Sequence, residues 1–320
     1  MTRYWMISDR NVSGDRLGRS HSGLSYWVSD HQQIDKLSNW SRRTEAQFRA
    51  LLAGDAAAFP VLDGSLHEQQ RHVTLFVHGY NNDWEDAALR YRSLCERLFG
   101  GADSLGICIL FTWPSDGMAT NYLPDRADAR KAAPDLASVL VSLYDWMLQK
   151  QGEQDPQKAC RAKTSIIAHS MGNYVLQNAM QLAWTRSNRP LLVSLINQLV
   201  MVAADVDNDL FDSGETVDGS DGDAMANLTY RITALYSGRD SVLGLSAGLK
   251  HFGKRRLGRS GLDDPGAVPD NVWQVDCSPL FKPDQEGIHS AYFEEARTLE
   301  LMRQILKGVD RRVITGGGIT

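Results

Sequence analysis

No run in this sequence is apolar enough, for long enough, to cross a bilayer. The most apolar region, residues 191–204, is broken by Ser194, Asn197 and Gln198. The first ten residues lack the apolar core of a secretory leader. Cysteine is scarce as well. Cys95, Cys108, Cys160 and Cys277 stand far apart with no CxxC pair, which argues against a disulfide framework and a thiolate zinc site. Cys108 lies inside an apolar run and reads as a buried free thiol. An excess of positive charge is missing too: 34 Lys and Arg face 39 Asp and Glu, for a net charge of -5. That balance argues against a nucleic-acid surface. No low-complexity linker and no internal repeat divides the chain. A soluble, cytoplasmic protein is expected, with its 320 residues, 42% hydrophobic, building one core with insertions. One basic cluster (Lys250, Lys254, Arg255, Arg256 and Arg259) reads as a solvated loop, with an anion- or membrane-surface patch as the alternative.

What is present is an alternation. Short β-rich runs at residues 73–77, 106–113, 164–168, 199–204, 231–236 and 272–275 are separated by helical patterns near 84–99, 125–150, 171–185 and 291–307. Strand–helix alternation of this kind predicts a mostly parallel central sheet with helices on both faces. The unbroken run Val73-Thr74-Leu75-Phe76-Val77 suits a strand buried on both sides. Residues 1–70 read differently. Residues 4–7 and 24–28 look like paired antiparallel strands at the leading edge, and 44–52 look helical. The expected organisation is therefore an N-terminal segment to residue 70, part of the sheet or appended to it. A core over 71–310 and a flexible tail over 311–320 follow.

Chemistry concentrates at Ala168-His169-Ser170-Met171-Gly172, between the 164–168 strand and the helix that begins near Met171. A serine on a sharp strand-to-helix turn has its hydroxyl exposed, and small residues two positions to either side relieve the crowding. Ala168 and Gly172 fill those positions. The helix start also presents the Met171 N–H to a developing oxyanion. Small-x-Ser-x-Gly by itself occurs by chance, and the bland alternative is an ordinary turn; the flanking strand and helix favour the functional reading. His78-Gly79-Tyr80-Asn81-Asn82 follows the 73–77 strand and precedes a helix. Gly79 permits a positive φ and lets the backbone approach a substrate closely, and the N–H of Tyr80 or Asn81 is the expected second oxyanion donor. Asn81-Asn82 also fits plain turn chemistry. His78 reads as a packing or hydrogen-bonding residue, and so does His169. A metal role for the two has no supporting acidic spacing.

These segments, with Phe111-Thr112-Trp113-Pro114-Ser115 and Ala203-Ala204-Asp205-Val206-Asp207, resemble the α/β-hydrolase superfamily, and more closely a bacterial branch known as domain of unknown function 900. The resemblance runs over about residues 71–292 and leaves the first seventy outside it. It implies a catalytic serine, an acid and a histidine in that chain order, and says little about substrate. In such a fold the base follows the last strand, which points to His289 in Gly287-Ile288-His289-Ser290. His251, in the basic loop, is the poorer candidate. The acid follows the penultimate strand, which favours Asp240 in Ser237-Gly238-Arg239-Asp240, with Asp205 as the competitor. An Arg239–Asp240 ion pair is the structural alternative. Trp113, Met118, Tyr122 and Phe281, in loops on the same edge, are candidate acyl-pocket residues or else core.

The function expected is a serine hydrolase cleaving small-molecule esters or thioesters through an acyl-enzyme, with no cofactor, metal or nucleic acid. The rival is a catalytically silent hydrolase-like scaffold used for binding or signalling, whose mark would be a broken triad; none of the three positions is broken. Within enzymes, lipase and amidase readings stay open. Residues 241–270 are long enough for a lipase lid but weakly patterned, which favours small and medium acyl chains in solution. Oligomeric state is not read from the sequence.

Overall fold

The computed structural model describes residues 3–60, 70–80, 82–115, 122–151, 162–187, 194–212, 222–250 and 254–316. At its centre is a nine-stranded sheet in the order β3-β2-β1-β5-β4-β6-β7-β8-β9. The strands are β1 (Tyr4–Ser13), β2 (Arg16–Ser29), β3 (Ser41–Arg43), β4 (His72–Val77), β5 (Gly106–Thr112), β6 (Lys163–His169), β7 (Ile196–Val202), β8 (Thr229–Tyr236) and β9 (Val272–Asp276). From β1 through β9 every neighbouring pair is parallel, while β1–β2 and β2–β3 are antiparallel. The antiparallel edge expected from residues 4–28 is present. Its first strand is also built into the parallel body, with Trp5 opposite Ile109 and Ile7 opposite Phe111.

The helices are α1 (Glu45–Ala57), α2 (Trp84–Leu94), α3 (Tyr122–Gln151), α4 (Gly172–Ser187), α5 (Asp223–Leu228), α6 (Ser241–Lys250), α7 (Leu257–Ser260), α8 (Ile288–Ala291), α9 (Ala296–Lys307) and α10 (Arg311–Gly316). They cover both faces. Successive strand side chains point to opposite sides, so Val73, Leu75 and Val77 of β4 join one core while Phe76 joins the other. The first core takes Phe48 of α1 and the alanine-rich stripe of α3 (Ala129, Ala132, Ala133, Ala137), whose small side chains let α3 lie close to Tyr174 and Val175 of α4. The second takes Trp84, Ala88 and Tyr91 of α2 with Leu301, Met302, Ile305 and Leu306 of α9. Those α9 positions recur at helical spacing along one stripe.

Two boundaries depart from the sequence reading. The helix expected over 291–307 begins only at Ala296, as α9, because the chain leaves the short α8 at Ala291 and turns over 292–295 to bury Tyr292 and Phe293. The tail expected to be flexible from 311 begins as α10, held down by buried Ile314; residues 317–320 lie outside the described residues. Among the described residues no helix is long and apolar enough to cross a membrane. Cys95, Cys108 and Cys277 are buried free thiols, as expected for Cys108, and Cys160 lies outside the described residues.

The order of strands sets the place of the site. The chain passes from β4 leftward to β5 and then crosses back past β4 to β6. The carboxyl ends of β4 and β6 therefore flank a reversal in winding, where open α/β sheets have their crevice.

Candidate active site

β6 ends in His169, and Ser170 takes the turn into α4 with φ of 52°. A non-glycine residue in that left-handed region is strained. Ser170 N–H donates to Val202 C=O of β7 at 3.0 Å, while its own carbonyl accepts from Asn173 and Asp205 N–H, each at 3.1 Å. The turn is thus fastened on both sides. Two glycines make room for it. A Cβ on Gly172 would lie 2.5 Å from His78 C=O and 2.6 Å from Val77 C=O, and one on Gly79 would lie 2.6 Å from Ser170 Cβ. Close approach, rather than the positive φ expected from the sequence, is what requires glycine at 79, whose φ is not in the left-handed region.

Three side chains from distant parts of the sequence meet in line. Ser170 Oγ lies 2.8 Å from His289 Nε2, and His289 Nδ1 lies 2.7 Å from Asp240 Oδ2. His289 sits in α8, launched by Gly287 with φ of 62°, and its ring is 12% exposed, so its nitrogens reach both partners with little solvent between them. Asp240 is fully buried. It precedes α6 as its cap: Oδ1 accepts Leu243 N–H at 3.0 Å, and its carbonyl accepts Gly244 N–H at 3.2 Å and the Arg259 guanidinium. A helix N-terminus favours negative charge there.

The competing carboxylate is engaged elsewhere. Asp205 Oδ1 is 3.2 Å from Arg256 Nε, Asp207 binds the same guanidinium, and Arg256 is fully buried between them. This also corrects the reading of the basic cluster in part. Lys254 pairs with Asp209 at 2.7 Å, Arg256 is internal, and Arg259 is spent on the Asp240 carbonyl, while Arg255 is exposed. Of the described members, Lys254 and Arg256 are thus paired with aspartates and Arg259 with a carbonyl, while Arg255 faces solvent as a loop residue would. The side chain of Lys250, and His251, lie outside what is described. Nor does Arg239 pair with Asp240. It donates to the carbonyls of Ser278, Phe281, Lys282 and Pro283, lacing the stretch between β9 and α8.

The loop after β4 is braced from several directions. Trp113 N–H donates to His78 Nε2 at 3.2 Å, so the other ring nitrogen, Nδ1, carries the proton and donates to Gly79 C=O at 2.9 Å. Burial holds His78 far below the ordinary imidazole range, at about 3, with buried Arg10 adding to the effect. The side-chain amide of Asn82 donates to Gly79 and Tyr80 carbonyls, each at 2.9 Å, and Arg10 donates to Asn82 C=O at 3.1 Å. Tyr80 is partly buried, and its phenol is raised by burial first, then by Asp125 and Asp205. Asn81 and Met118 lie outside the described residues, as does the side chain of Tyr122.

Two expected pocket residues are core instead. Trp113 is fully buried, stacked on His78 at 5.4 Å and donating its indole N–H to His78 C=O at 3.0 Å. Phe281 is buried edge-on against Tyr292 at 5.0 Å. Aromatic bulk under long loops answers the need to bury surface there before it answers any substrate.

Sequence reasoning placed His169 as support without its partners. The ring is buried, its Nε2–H donates to His289 C=O at 2.8 Å, and its Nδ1 accepts from Arg90 at 3.3 Å. Nothing in the linear sequence marks Arg90; it stands among other charged residues of an amphipathic helix.

Relatives are distant in sequence. The chain is 24% identical over 135 residues to an uncharacterised protein of Nostoc sp., and the match spans 36% of this chain and only 32% of that protein. Among solved structures, a lipase-esterase related protein from Clostridium acetobutylicum aligns at 10% identity and a TM-score of 0.36, over 74% of this chain and 96% of that one. An esterase from Pyrobaculum calidifontis aligns at 12% identity and a TM-score of 0.35, over 81% and 89%. A family model matches residues 60–306, most of the chain and all of the arrangement above except Arg10: the chain belongs to the family described as alpha/beta hydrolase of unknown function (DUF900).

Proposed function

We propose that this hydrolase cleaves carboxylic esters or thioesters, with Ser170 as nucleophile, His289 as general base and Asp240 as the orienting acid. The observation that carries the reading is the unbroken hydrogen-bonded line from Ser170 Oγ through His289 to the buried, helix-capping Asp240. A serine hydroxyl is a weak nucleophile until a base takes its proton as the bond to carbon forms. His289 Nε2 stands where it accepts that proton. Asp240 fixes the Nδ1–H tautomer and stabilises the imidazolium that results.

In acylation the Ser170 oxygen attacks the carbonyl carbon, and the proton passes to His289. The tetrahedral oxyanion is met by the N–H groups of Met171, at the start of α4, and of Tyr80, beyond Gly79. His289 then protonates the leaving alkoxide or thiolate, and the alcohol or thiol departs. Water enters, gives a proton to His289, and attacks the acyl-enzyme; collapse frees the acid and returns the proton to Ser170. The strained turn supports this role, since it keeps the hydroxyl clear of the helix it precedes.

A fluorophosphonate probe should form one adduct, mapped by mass spectrometry to Ser170. A series of p-nitrophenyl esters should be hydrolysed fastest at short and medium acyl length, with no jump in rate above the solubility limit of the longer ones. Labelling that survives Ser170→Ala would sink the assignment.

A further inference from the structure

We propose that Arg90 is a positioning residue for the general base: through His169 and Ser290 it holds the stretch of backbone that carries His289. The inference rests on the reading of Ser170, His289 and Asp240 given above and concerns a residue outside that set.

Arg90 stands on α2, the helix that follows the Gly79 loop, and it is partly buried. One guanidinium nitrogen, Nη1, donates to His169 Nδ1 at 3.3 Å, and the other, Nη2, donates to Ser290 Oγ at 3.1 Å. His169 completes the strut, 2.8 Å from the carbonyl of His289. The partners dictate the tautomer. A carbonyl only accepts, so His169 Nε2 carries the hydrogen; a guanidinium only donates, so Nδ1 offers its lone pair. His169 is therefore neutral and used at both nitrogens. Burial lowers its pKa well below the ordinary imidazole range, with His289 and then Arg90 acting in the same direction. Room to move is absent: Phe293 packs edge-on against the His169 ring at 5.2 Å, and a Cβ on Gly79 would lie 3.0 Å from Nδ1.

The arrangement answers two problems of the reaction. His289 must present Nε2 to Ser170 without drifting, yet it rides on a helix of only four residues behind a left-handed glycine. The strut fixes that helix at a backbone carbonyl and at the next side chain, while Asp240 fixes the ring. The second problem is proton fidelity. The rings of His169 and His289 are 4.9 Å apart, so a proton taken from Ser170 has a second imidazole beside it. Arg90 occupies the only lone pair His169 could use, which leaves the proton on His289. Burial lowers the pKa of Arg90, and Asp86 and then Glu294, which face it, favour its charge in return.

The test is steady-state hydrolysis of p-nitrophenyl acetate by the full chain. Arg90→Ala should lower kcat by about 10–100-fold, as misplacement of a reacting group does, with KM unchanged within about twofold. Added methylguanidinium should restore part of that turnover. His169→Gln, whose amide donates from near the position of Nε2, should keep most of the activity, whereas His169→Leu should lose as much as Arg90→Ala. A merely structural role predicts neither chemical rescue nor a difference between Gln and Leu. Should Arg90→Ala fail to fold by circular dichroism, Ser290→Ala and the two His169 variants read the same strut. Folded Arg90→Ala and His169→Leu with turnover within about twofold of wild type, or His169→Gln no better than Leu, would overturn the inference. Wild-type protein that takes no fluorophosphonate at Ser170 would overturn the reading beneath it as well. Labelling together with indifferent Arg90 and His169 variants would overturn the strut alone.

Discussion

Ser170 and Ala203 are the described non-glycine residues with φ in the left-handed region, at 52° and 46°. Each such conformation costs about 1–2 kcal/mol, and the two lie at the carboxyl ends of adjacent strands. The kink at Ala203 is held by its N–H to Leu235 C=O at 3.1 Å. It turns the chain so that Asp205 N–H reaches Ser170 C=O while the Asp205 carboxylate faces Arg256. The two aspartates thus separate by contact, one against His289 and one in a buried ion pair. Asp240→Asn should fold and lose up to about 10⁴ in kcat, because the imidazole is then held in the wrong tautomer. His289→Ala should lose about a thousandfold or more. Asp205→Asn should instead lose stability, by about 3–5 kcal/mol in the manner of a broken buried pair, with turnover per folded molecule near normal. Kinetics alongside thermal unfolding of the three variants decides it. A folded Asp240→Asn enzyme of ordinary activity beside a dead, folded Asp205→Asn would reverse the assignment.

At the level of elements, the start of α4 is pressed against the end of β4 so closely that no side chain fits at Gly172. Gly172→Ala should lower stability by at least about 2 kcal/mol, since the atoms it meets are backbone and cannot swing aside. A urea midpoint unchanged from wild type would contradict the packing. A second element contact titrates. Asp9 on β1 is buried, with His21 of β2 on one oxygen at 2.5 Å and Asp135 of α3 beside it. The Asp135 carboxyl is pushed up to about 6, by burial first and then by Asp9. A carboxyl whose folded pKa lies above its unfolded value holds extra protons in the native state, so stability falls as pH rises through that interval. Asp135→Asn should therefore gain thermal stability relative to wild type as pH climbs from about 4 through about 6, and the gain should level off above. A difference in melting temperature that is flat across that range would remove the coupling.

For the whole molecule, the question is whether residues before β4 are an appendage. Tyr4, Trp5, Met6 and Ile7 of β1 are all buried, divided between the two cores, and β1 covers the edge of β5 in parallel register. Removing residues 1–69 would uncover that edge and leave both cores short of aromatic bulk. An exposed, apolar strand edge is a template for aggregation. The remaining chain should be insoluble, or soluble without near-ultraviolet dichroism and with strong dye binding. A shortened chain that unfolds cooperatively near the wild-type temperature would show the first seventy residues to be dispensable.

What the sequence by itself determined was local. The unbroken apolar run of β4, the small residues around Ser170 and the loop opened by Gly79 are legible because strand burial, tight turns and close approach each demand particular residue types at adjacent positions. With the resemblance, chain order then singled out His289 and ranked Asp240 above Asp205. Tertiary structure decided the rest. Arg256 reads as one member of a basic run until the chain folds it between Asp205 and Asp207, 51 and 49 residues away in a sequence that encodes no such pairing locally. Trp113 reads as a loop aromatic until His78 is stacked beneath it. Arg90 meets partners 79 and 200 residues away. Periodicity says which side of a strand or helix is buried, but not which element buries it. Contacts between elements depend on that choice of neighbour, and only the assembled sheet makes it.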